Sequence, residues 1–241
     1  TTYWCCVNCP GNPGAWKLHS VYHKEVKRHR KATEDGGVAQ QRQRETAEWE
    51  ARYAAQSGDA YVGMVAKGAR YASQQDWRRA CRTLREAIAL RPDRPSAYAD
   101  LGAALANSGH PAEAAQRFLE AKERNSVGSK GWAKTTAAAF YTLTQEACAE
   151  VAKPEWWSDE GLKALSARVV RAMPEDLVAN QMRAVVLDGQ CGAWKVGPRS
   201  AAELREAATH YERAAAMHSA PAGKANLAEY AAVCRAKARA M

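Results

Sequence analysis

The 241-residue sequence lacks the features of a sheet protein and of a membrane-spanning protein. Phenylalanine occurs only at Phe118 and Phe140, and β-branched residues seldom alternate with polar ones. Alanine, the best helix former, is abundant instead. No run of 18 apolar residues is present, and a bilayer needs about that length in one helix. These absences predict a soluble, all-α protein without membrane insertion.

The common catalytic signatures are also missing. We find no Gly-rich phosphate loop, no G-x-S-x-G, no H-E-x-x-H and no kinase motif. His110 precedes a proline that starts a helix, and His210 and His218 lie near charged residues, so we expect all three side chains to be solvated. The sequence therefore predicts a protein that is not an enzyme.

Seven cysteines, an odd number, do not suit a framework of disulfides. Cys81, Cys148 and Cys234 lie in apolar helical stretches, where a cysteine usually behaves as a small buried hydrophobe. This usage favours a reducing intracellular compartment. Because the sequence opens with Thr1 rather than Met, we expect a processed chain or a fragment, and the localisation stays unknown.

The strongest positive pattern is a 34-residue self-similarity, in which residues 61–92 return across residues 95–126. The shift pairs Met64 with Tyr98, Gly68 with Gly102, Tyr71 with Leu105, Ala80 with Ala114, Leu84 with Phe118 and Ala87 with Ala121. A period of this length is typical of a helical unit that buries its apolar face only by stacking on copies of itself. We therefore expect a solenoid of helix pairs.

Helix signals continue along the chain. The first pair is expected over about Asp59 to Ser73 and from the cap Asp76 to Leu90, and the second begins at Pro95 and Pro111. After Ser126 the period degrades, and the second helix of a third unit is expected to continue through Glu146 to Ala152. Further helices are expected over about 160–173, from Pro174 to Gly189, from the capping box of Ser200 and Glu203 to Met217, and from Pro221 to about Ala240, the last as a polar-backed cap.

The order of key residues in the second unit resembles the tetratricopeptide repeat family. The matching positions are Tyr98, Leu101, Gly102, Leu105, Ala114, Phe118 and Ala121. Gly102 and Ala114 would let two helices approach closely, while large side chains fill the space beside them. The resemblance covers about residues 59–241, strongly over two units. It implies a right-handed superhelix of antiparallel helix pairs, whose concave groove binds peptide segments of other proteins.

On this resemblance, the groove would be lined by the first helix of the second unit. Its expected groove positions are small and mostly uncharged: Ser96, Ala99, Ala103, Ala106 and Asn107. The Lys and Asn set with which some family members hold the terminal carboxylate of chaperones is missing. We therefore expect an apolar or helical ligand, and a non-enzymatic scaffold or subunit of a larger assembly.

Residues 1–31 predict a small, basic, zinc-finger-like segment. Zinc needs four converging nitrogen or sulfur ligands, and two sets fit. The set Cys6, Cys9, His23 and His29 resembles a matrin-type finger, a nucleic-acid module; the alternative set Cys5, Cys9, His19 and His23 resembles the closing half of a MYND finger, a protein-binding module. Either set would bind zinc as a cofactor; the alternative is a disordered, basic tail whose cysteines bind no metal.

The same segment concentrates positive charge. Between Ala15 and Lys31, six basic residues face the single acid Glu25; they are Lys17, Lys24, Lys27, Arg28, Arg30 and Lys31. This cluster suits contact with nucleic acid, or with an acidic protein. It motivates the alternative function of a nucleic-acid-associated adaptor. Residues 32–58 are expected to form a linker and then a helix, with Trp49 and Tyr53 one turn apart, that packs on the first repeat.

Three tryptophans stand in predicted loops. Trp156, Trp157 and Trp194 could each anchor a partner, or fold back to fill gaps between irregular helix pairs. The sequence leaves both interpretations open.

Overall fold

The structure is a computed structural model and describes residues 59–241. Nine α-helices and one 3₁₀ helix occur in this part of the chain, and it contains no strand. The helices are α1 (Ala60–Ser73), α2 (Trp77–Leu90), α3 (Pro95–Asn107), α4 (Pro111–Arg124), α5 (Lys130–Leu143), the 3₁₀ helix (Glu146–Cys148), α6 (Asp159–Ala172), α7 (Leu177–Asp188), α8 (Ala201–Met217) and α9 (Pro221–Ala240). The all-α prediction is confirmed for these residues, while the superhelical arrangement stays a prediction.

Helix starts follow from local capping chemistry. The side chain of Asp76 accepts a hydrogen bond from the amide of Arg79 and caps α2, and Ser158 and Asp176 cap α6 and α7 in the same way. At α8 the reciprocal capping box of Ser200 and Glu203 forms as expected. Each of these side chains satisfies an amide that has no partner inside the helix. The helix boundaries are therefore encoded close to where they occur.

The described residues fall into two compact units, 59–121 and 122–241. In the first unit, α1 packs on α2, and α3 packs on both. A Cβ atom on Gly68 would lie 2.6 Å from Leu84 Cγ, and one on Gly102 would lie 2.9 Å from the Phe118 ring. The same close approach thus occurs in both helix pairs at positions 34 residues apart, as the repeat pattern predicts.

In the second unit, α7 is the central helix, because it contacts α5, α6 and α8. Two apolar clusters lie on either side of it. The first joins α5, α6 and the segment after α7, and its largest members include Trp132, Phe140, Leu162, Val169, Met182 and Trp194. The second joins α7 to α8 and α9 and includes Leu187, Ala207, Tyr211, Leu227 and Cys234. Helix α9 buries its apolar face, whereas Tyr230 on its flank is 43% exposed.

One helix expectation is wrong. The chain does not continue as a helix from Glu146 to Ala152: α5 ends at Leu143 and only the short 3₁₀ helix follows. Lys153 explains the ending, because its ammonium group donates to the carbonyl oxygens of Leu143 and Cys148, which close α5 and the 3₁₀ helix. A lysine that satisfies the last carbonyls ends a helix in the same way as other C-terminal caps. Residues 144–158 therefore form an inserted loop before α6.

Candidate functional site

Helix α3 carries the predicted groove positions on its accessible side. Two tyrosines fix its placement: the Tyr61 hydroxyl accepts from the amide of Ala97 at 3.3 Å, and the Tyr98 hydroxyl donates to the carbonyl of Pro92 at 3.1 Å. Both rings are buried, as are Leu101 and Leu105 on the same side of the helix. The two tyrosines therefore fix which side of α3 is buried against the neighbouring residues.

The opposite side of α3 holds the groove candidates. Ser96 is exposed, and Ala99, Ala103, Ala106 and Asn107 are half-buried. The Asn107 amide nitrogen donates to the carbonyl oxygen of Ala103 at 2.8 Å, so this amide is already engaged within its own helix. The surface is thus formed by small side chains and one internally bonded amide. It can pack closely against an apolar segment but offers little for a charged one.

A separate groove of about 520 Å³ lies in the same unit, where the turn before α2 meets the turn before α4. Trp77, Cys81 and Leu105 line its apolar part. At its rim the Arg85 guanidinium pairs with the Glu113 carboxylate at 2.9 Å, which neutralises both charges. Burial raises the pKa of the Cys81 thiol, so this cysteine is not activated as a nucleophile.

In the second unit, the loop tryptophans pack inward. The indole nitrogen of Trp157 donates to the carbonyl of Ala193 at 3.2 Å, and the Trp157 and Trp194 rings meet edge to face at 6.3 Å between centroids. Both also contact the ring of Phe140, and the Lys153 ammonium lies over Trp157. Loop 144–158 and loop 189–200 therefore pack on each other, and of the two interpretations that the sequence leaves open, the structure supports inward packing for Trp157 and Trp194.

A buried ion pair fastens the second of these loops. The Arg199 guanidinium donates to both oxygens of Asp159, at 2.6 and 2.7 Å, and the Trp194 indole nitrogen donates to the same carboxylate at 3.1 Å. Lys163 adds an ion pair at 3.1 Å. The hydrogen bonds from Arg199 hold the pKa of Asp159 well below its ordinary value, so the carboxylate stays charged. Both oxygens of the Asp159 carboxylate are engaged by these neighbouring side chains, which suits a structural role.

The histidine expectation is partly wrong. His110 is exposed, as expected, and its Nδ1 lies 3.2 Å from the Ser108 hydroxyl. His210 and His218, in contrast, are buried, at 7% and 9% exposure. The expectation rests on Glu206 and Glu212, which do face solvent, but the exposure of these acids does not extend to the two histidines. The position of Asn180 offers a signal for His210. Asn180 follows Pro174 by six residues and donates to its carbonyl oxygen, as Tyr98 does to that of Pro92. Asparagine thus stands where the earlier unit has an aromatic residue, and a buried asparagine needs a polar partner.

The predicted metal ligands and the predicted basic cluster lie outside the described residues. This applies to both ligand sets, Cys6, Cys9, His23 and His29 or Cys5, Cys9, His19 and His23, and to Lys24, Lys27, Arg28, Arg30 and Lys31. Across residues 59–241, no group of three or more potential metal ligands comes together. Within the same residues, no helix is long and apolar enough to pass through a membrane.

Comparisons with known proteins give no relative: neither a family model nor a curated protein sequence matches the chain.

Proposed function

We propose that this chain is a non-enzymatic scaffold that binds an apolar or helical segment of another protein along α3. The observation that carries the proposal is the two-sided construction of this helix. Tyr61 and Tyr98 anchor one side, while the other presents Ser96, Ala99 and Ala103. A helix fixed by its neighbours and lined with small side chains offers a preorganised surface, which lowers the ordering cost of binding.

The repeat pattern supports the same role. The close approach of Gly68 to Leu84 recurs at Gly102 and Phe118, as expected for stacked copies of one helix pair. Proteins built in this way bind partners over extended surfaces made of successive helices. The tetratricopeptide resemblance adds the expectation that the first helix of each pair faces the ligand.

The test compares two alanine-to-arginine variants in one unit. Ala103→Arg places a long cation on the proposed surface, and Ala89→Arg places the same side chain on the exposed side of α2. Each protein, once shown to be folded by circular dichroism, is used to capture partners from native extract, with crosslinking mass spectrometry. We expect Ala103→Arg to reduce the recovery of protein partners at least tenfold and Ala89→Arg to leave it unchanged. Equal recovery would contradict the proposal.

A second measurement tests whether the surface of α3 recognises the terminal carboxylate of a peptide instead of an apolar segment. Peptides ending in a free carboxylate, of the chaperone-tail type, are titrated into the protein by calorimetry. We expect no tight binding, because the engaged Asn107 amide and the neighbouring alanines provide no cationic clamp. Micromolar or tighter binding would favour a different class of ligand.

The alternative function is a nucleic-acid adaptor, and the six basic residues between Ala15 and Lys31 favour it. If five of their charges neutralised phosphates, the logarithm of the association constant would fall with the logarithm of salt concentration with a slope of about −4.5 for duplex DNA. Fluorescence anisotropy with labelled DNA and RNA between 50 and 200 mM salt measures this slope. A complex indifferent to salt would exclude the adaptor role.

The zinc proposal is tested by variants that separate the two ligand sets. His29→Ala removes a ligand only from the set with Cys6, and His19→Ala removes one only from the set with Cys5. Zinc per chain, measured by mass spectrometry after washing with a weak chelator, should fall in one variant and not in the other. A wild-type chain with well below one zinc would exclude both sets.

A further inference from the structure

A buried histidine marks the junction of α7 and α8. His210 is 7% exposed, and its Nδ1 lies 2.8 Å from the side-chain oxygen of Asn180, which is fully buried. The Asn180 amide nitrogen donates to the carbonyls of Pro174 and Asp176 at 2.8 and 2.9 Å. These two bonds fix the amide so that its oxygen faces the imidazole. An amide oxygen only accepts, so Nδ1 carries the hydrogen and Nε2 of the neutral ring is bare.

The unprotonated Nε2 of His210 faces the Glu206 carboxylate, which already accepts hydrogen bonds from another side chain. His210 Nε2 lies 3.7 Å from Glu206 Oε1, and the same oxygen accepts from Nε and Nη2 of Arg183 at 2.9 and 2.7 Å. Arg183 also donates to the carbonyl of Lys163 and to the Ser166 hydroxyl. This arginine, on α7, therefore ties α6 and α8 together, and Glu206 is its partner on α8.

Protonation of the ring would place two cations beside one carboxylate. The side chains of Arg183 and His210 are only 13% and 9% exposed, so water screens these two cations weakly from each other, whereas the Glu206 side chain is 45% exposed and stays partly hydrated. Burial lowers the pKa of His210; Arg213 and Arg183 act in the same direction, and Glu206 opposes them. A histidine with a lowered folded-state pKa contributes stability that is complete above about pH 6.5 and is lost as the pH falls from there towards the folded pKa.

His218, at the end of α8, adds a second contact of the same kind. Its Nδ1 accepts a hydrogen bond from the amide of Ala220, which caps α9, at 3.1 Å. Burial lowers the pKa of His218, and the charge of Lys224 on α9 acts in the same direction. A proton on Nδ1 would remove the acceptor from this bond. Acid therefore acts against both junctions of α8, the one with α7 and the one with α9.

We propose that the cluster of Asn180, Arg183, Glu206 and His210 is an acid-sensitive latch: a proton on His210 Nε2 competes with Arg183 for Glu206 and loosens α8 from α7. Helix α9 packs on α8, so it loosens as well. The apolar cluster between these three helices, with Leu187, Tyr211 and Leu227 among its members, then becomes accessible. The latch is a regulatory device and is independent of the ligand proposed for α3.

Hydrogen exchange of the full chain shows which helices loosen on acidification. Exchange is followed by mass spectrometry at pH 7.5 and 5.5, with rates corrected for the intrinsic effect of pH. We expect protection to fall severalfold in α8 and α9 on acidification and to stay unchanged in α5. His210→Asn keeps a donor where Nδ1 lies but cannot be protonated, so it should lose most of the fall in α8, while the part in α9 that depends on His218 remains. His110→Asn, at an exposed position, is the matched control. The same acid response in His210→Asn as in the wild type would overturn the latch.

Two further readouts do not depend on how the asparagine variant folds. Nitrogen-15 NMR of the wild-type imidazoles at pH 8 should show hydrogen on Nδ1 of His210, and a pH titration should give this ring a pKa below the ordinary histidine value of about 6.5. Hydrogen on Nε2, or a pKa at or above that value, would contradict the proposal. A double-mutant cycle with Arg183→Met and Glu206→Gln measures the coupling between the two side chains. We expect that coupling to weaken between pH 7.5 and 5.5, and a constant value would exclude competition for the carboxylate.

Discussion

Three glycine-to-alanine substitutions provide a sharp test of helix packing in residues 59–121. Gly63 and Gly68 both lie in α1, but their surroundings differ. A Cβ atom on Gly63 would have no heavy atom within 4 Å, whereas one on Gly68 would lie 2.6 Å from Leu84 Cγ and one on Gly102 would lie 2.9 Å from the Phe118 ring. The first substitution therefore changes helix propensity alone, and the other two also add an overpacked methyl group.

The magnitudes follow from these two terms. Replacing glycine by alanine inside a helix stabilises it by about 1 kcal/mol, which is the whole effect expected for Gly63→Ala. An extra methyl group in a packed core costs about 1–3 kcal/mol, and neither Leu84 nor Phe118 can swing away because both are buried. Gly68→Ala and Gly102→Ala should thus destabilise the unit by about 1 kcal/mol net, roughly 2 kcal/mol below Gly63→Ala.

Urea unfolding followed by far-ultraviolet circular dichroism measures these differences. Gly102→Ala combined with Phe118→Leu serves as a control, because the smaller side chain should relieve part of the overpacking and make the pair less destabilising than the sum of the single changes. If Gly68→Ala stabilised the protein as much as Gly63→Ala, the close approach of α1 and α2 would be refuted.

Two other outcomes are expected. Asp159→Ala leaves the buried Arg199 guanidinium without its carboxylate, so we expect the free energy of unfolding to fall by about 3–5 kcal/mol. The exposed control Asp93→Ala should lower it by less than about 0.5 kcal/mol. Equal losses of the two variants in urea titrations would exclude the buried pair. Four thiols are buried: Cys81, Cys148, Cys191 and Cys234. Iodoacetamide at pH 8 should leave them unmodified in the native protein and modify all of them in urea, as measured by peptide mass spectrometry. Fast labelling of the native protein would contradict their burial.

Helix positions were predictable because their signals are local. The caps Asp76 and Ser200, and the prolines Pro95 and Pro111, stand directly at helix starts, and the structure places helices there. The contact of Gly102 with Phe118 was also predictable, since the repeat aligns it with Gly68 and Leu84. In each case, the determining residues are close in sequence or are related by a fixed period.

The failures involve contacts that no short pattern encodes. Ending α5 at Leu143 depends on Lys153, which reaches back ten residues to its carbonyl oxygen. The buried partner of His210 is Asn180, 30 residues earlier, so a window along α8 does not contain it. The proposed binding surface on α3 is an intermediate case. Its small residues are visible in the sequence, whereas their accessibility follows from the burial of the opposite side of the helix, where Tyr61 and Tyr98 form their hydrogen bonds.

The pair between Asp159 and Arg199 also has a consequence for how the chain acquires its structure during synthesis. Helix pairs in residues 59–121 join neighbouring segments, and contacts of short sequence separation form early and fast. Helix α6 is different: Lys163 pairs with Asp159 from four residues away, but the two hydrogen bonds that accompany the burial of this carboxylate come from an arginine 40 residues later. Until Arg199 has left the ribosome, that carboxylate must remain hydrated. We therefore expect the pair to form only after α7 and loop 189–200 have been synthesised, later than the contacts between neighbouring helices in residues 59–121.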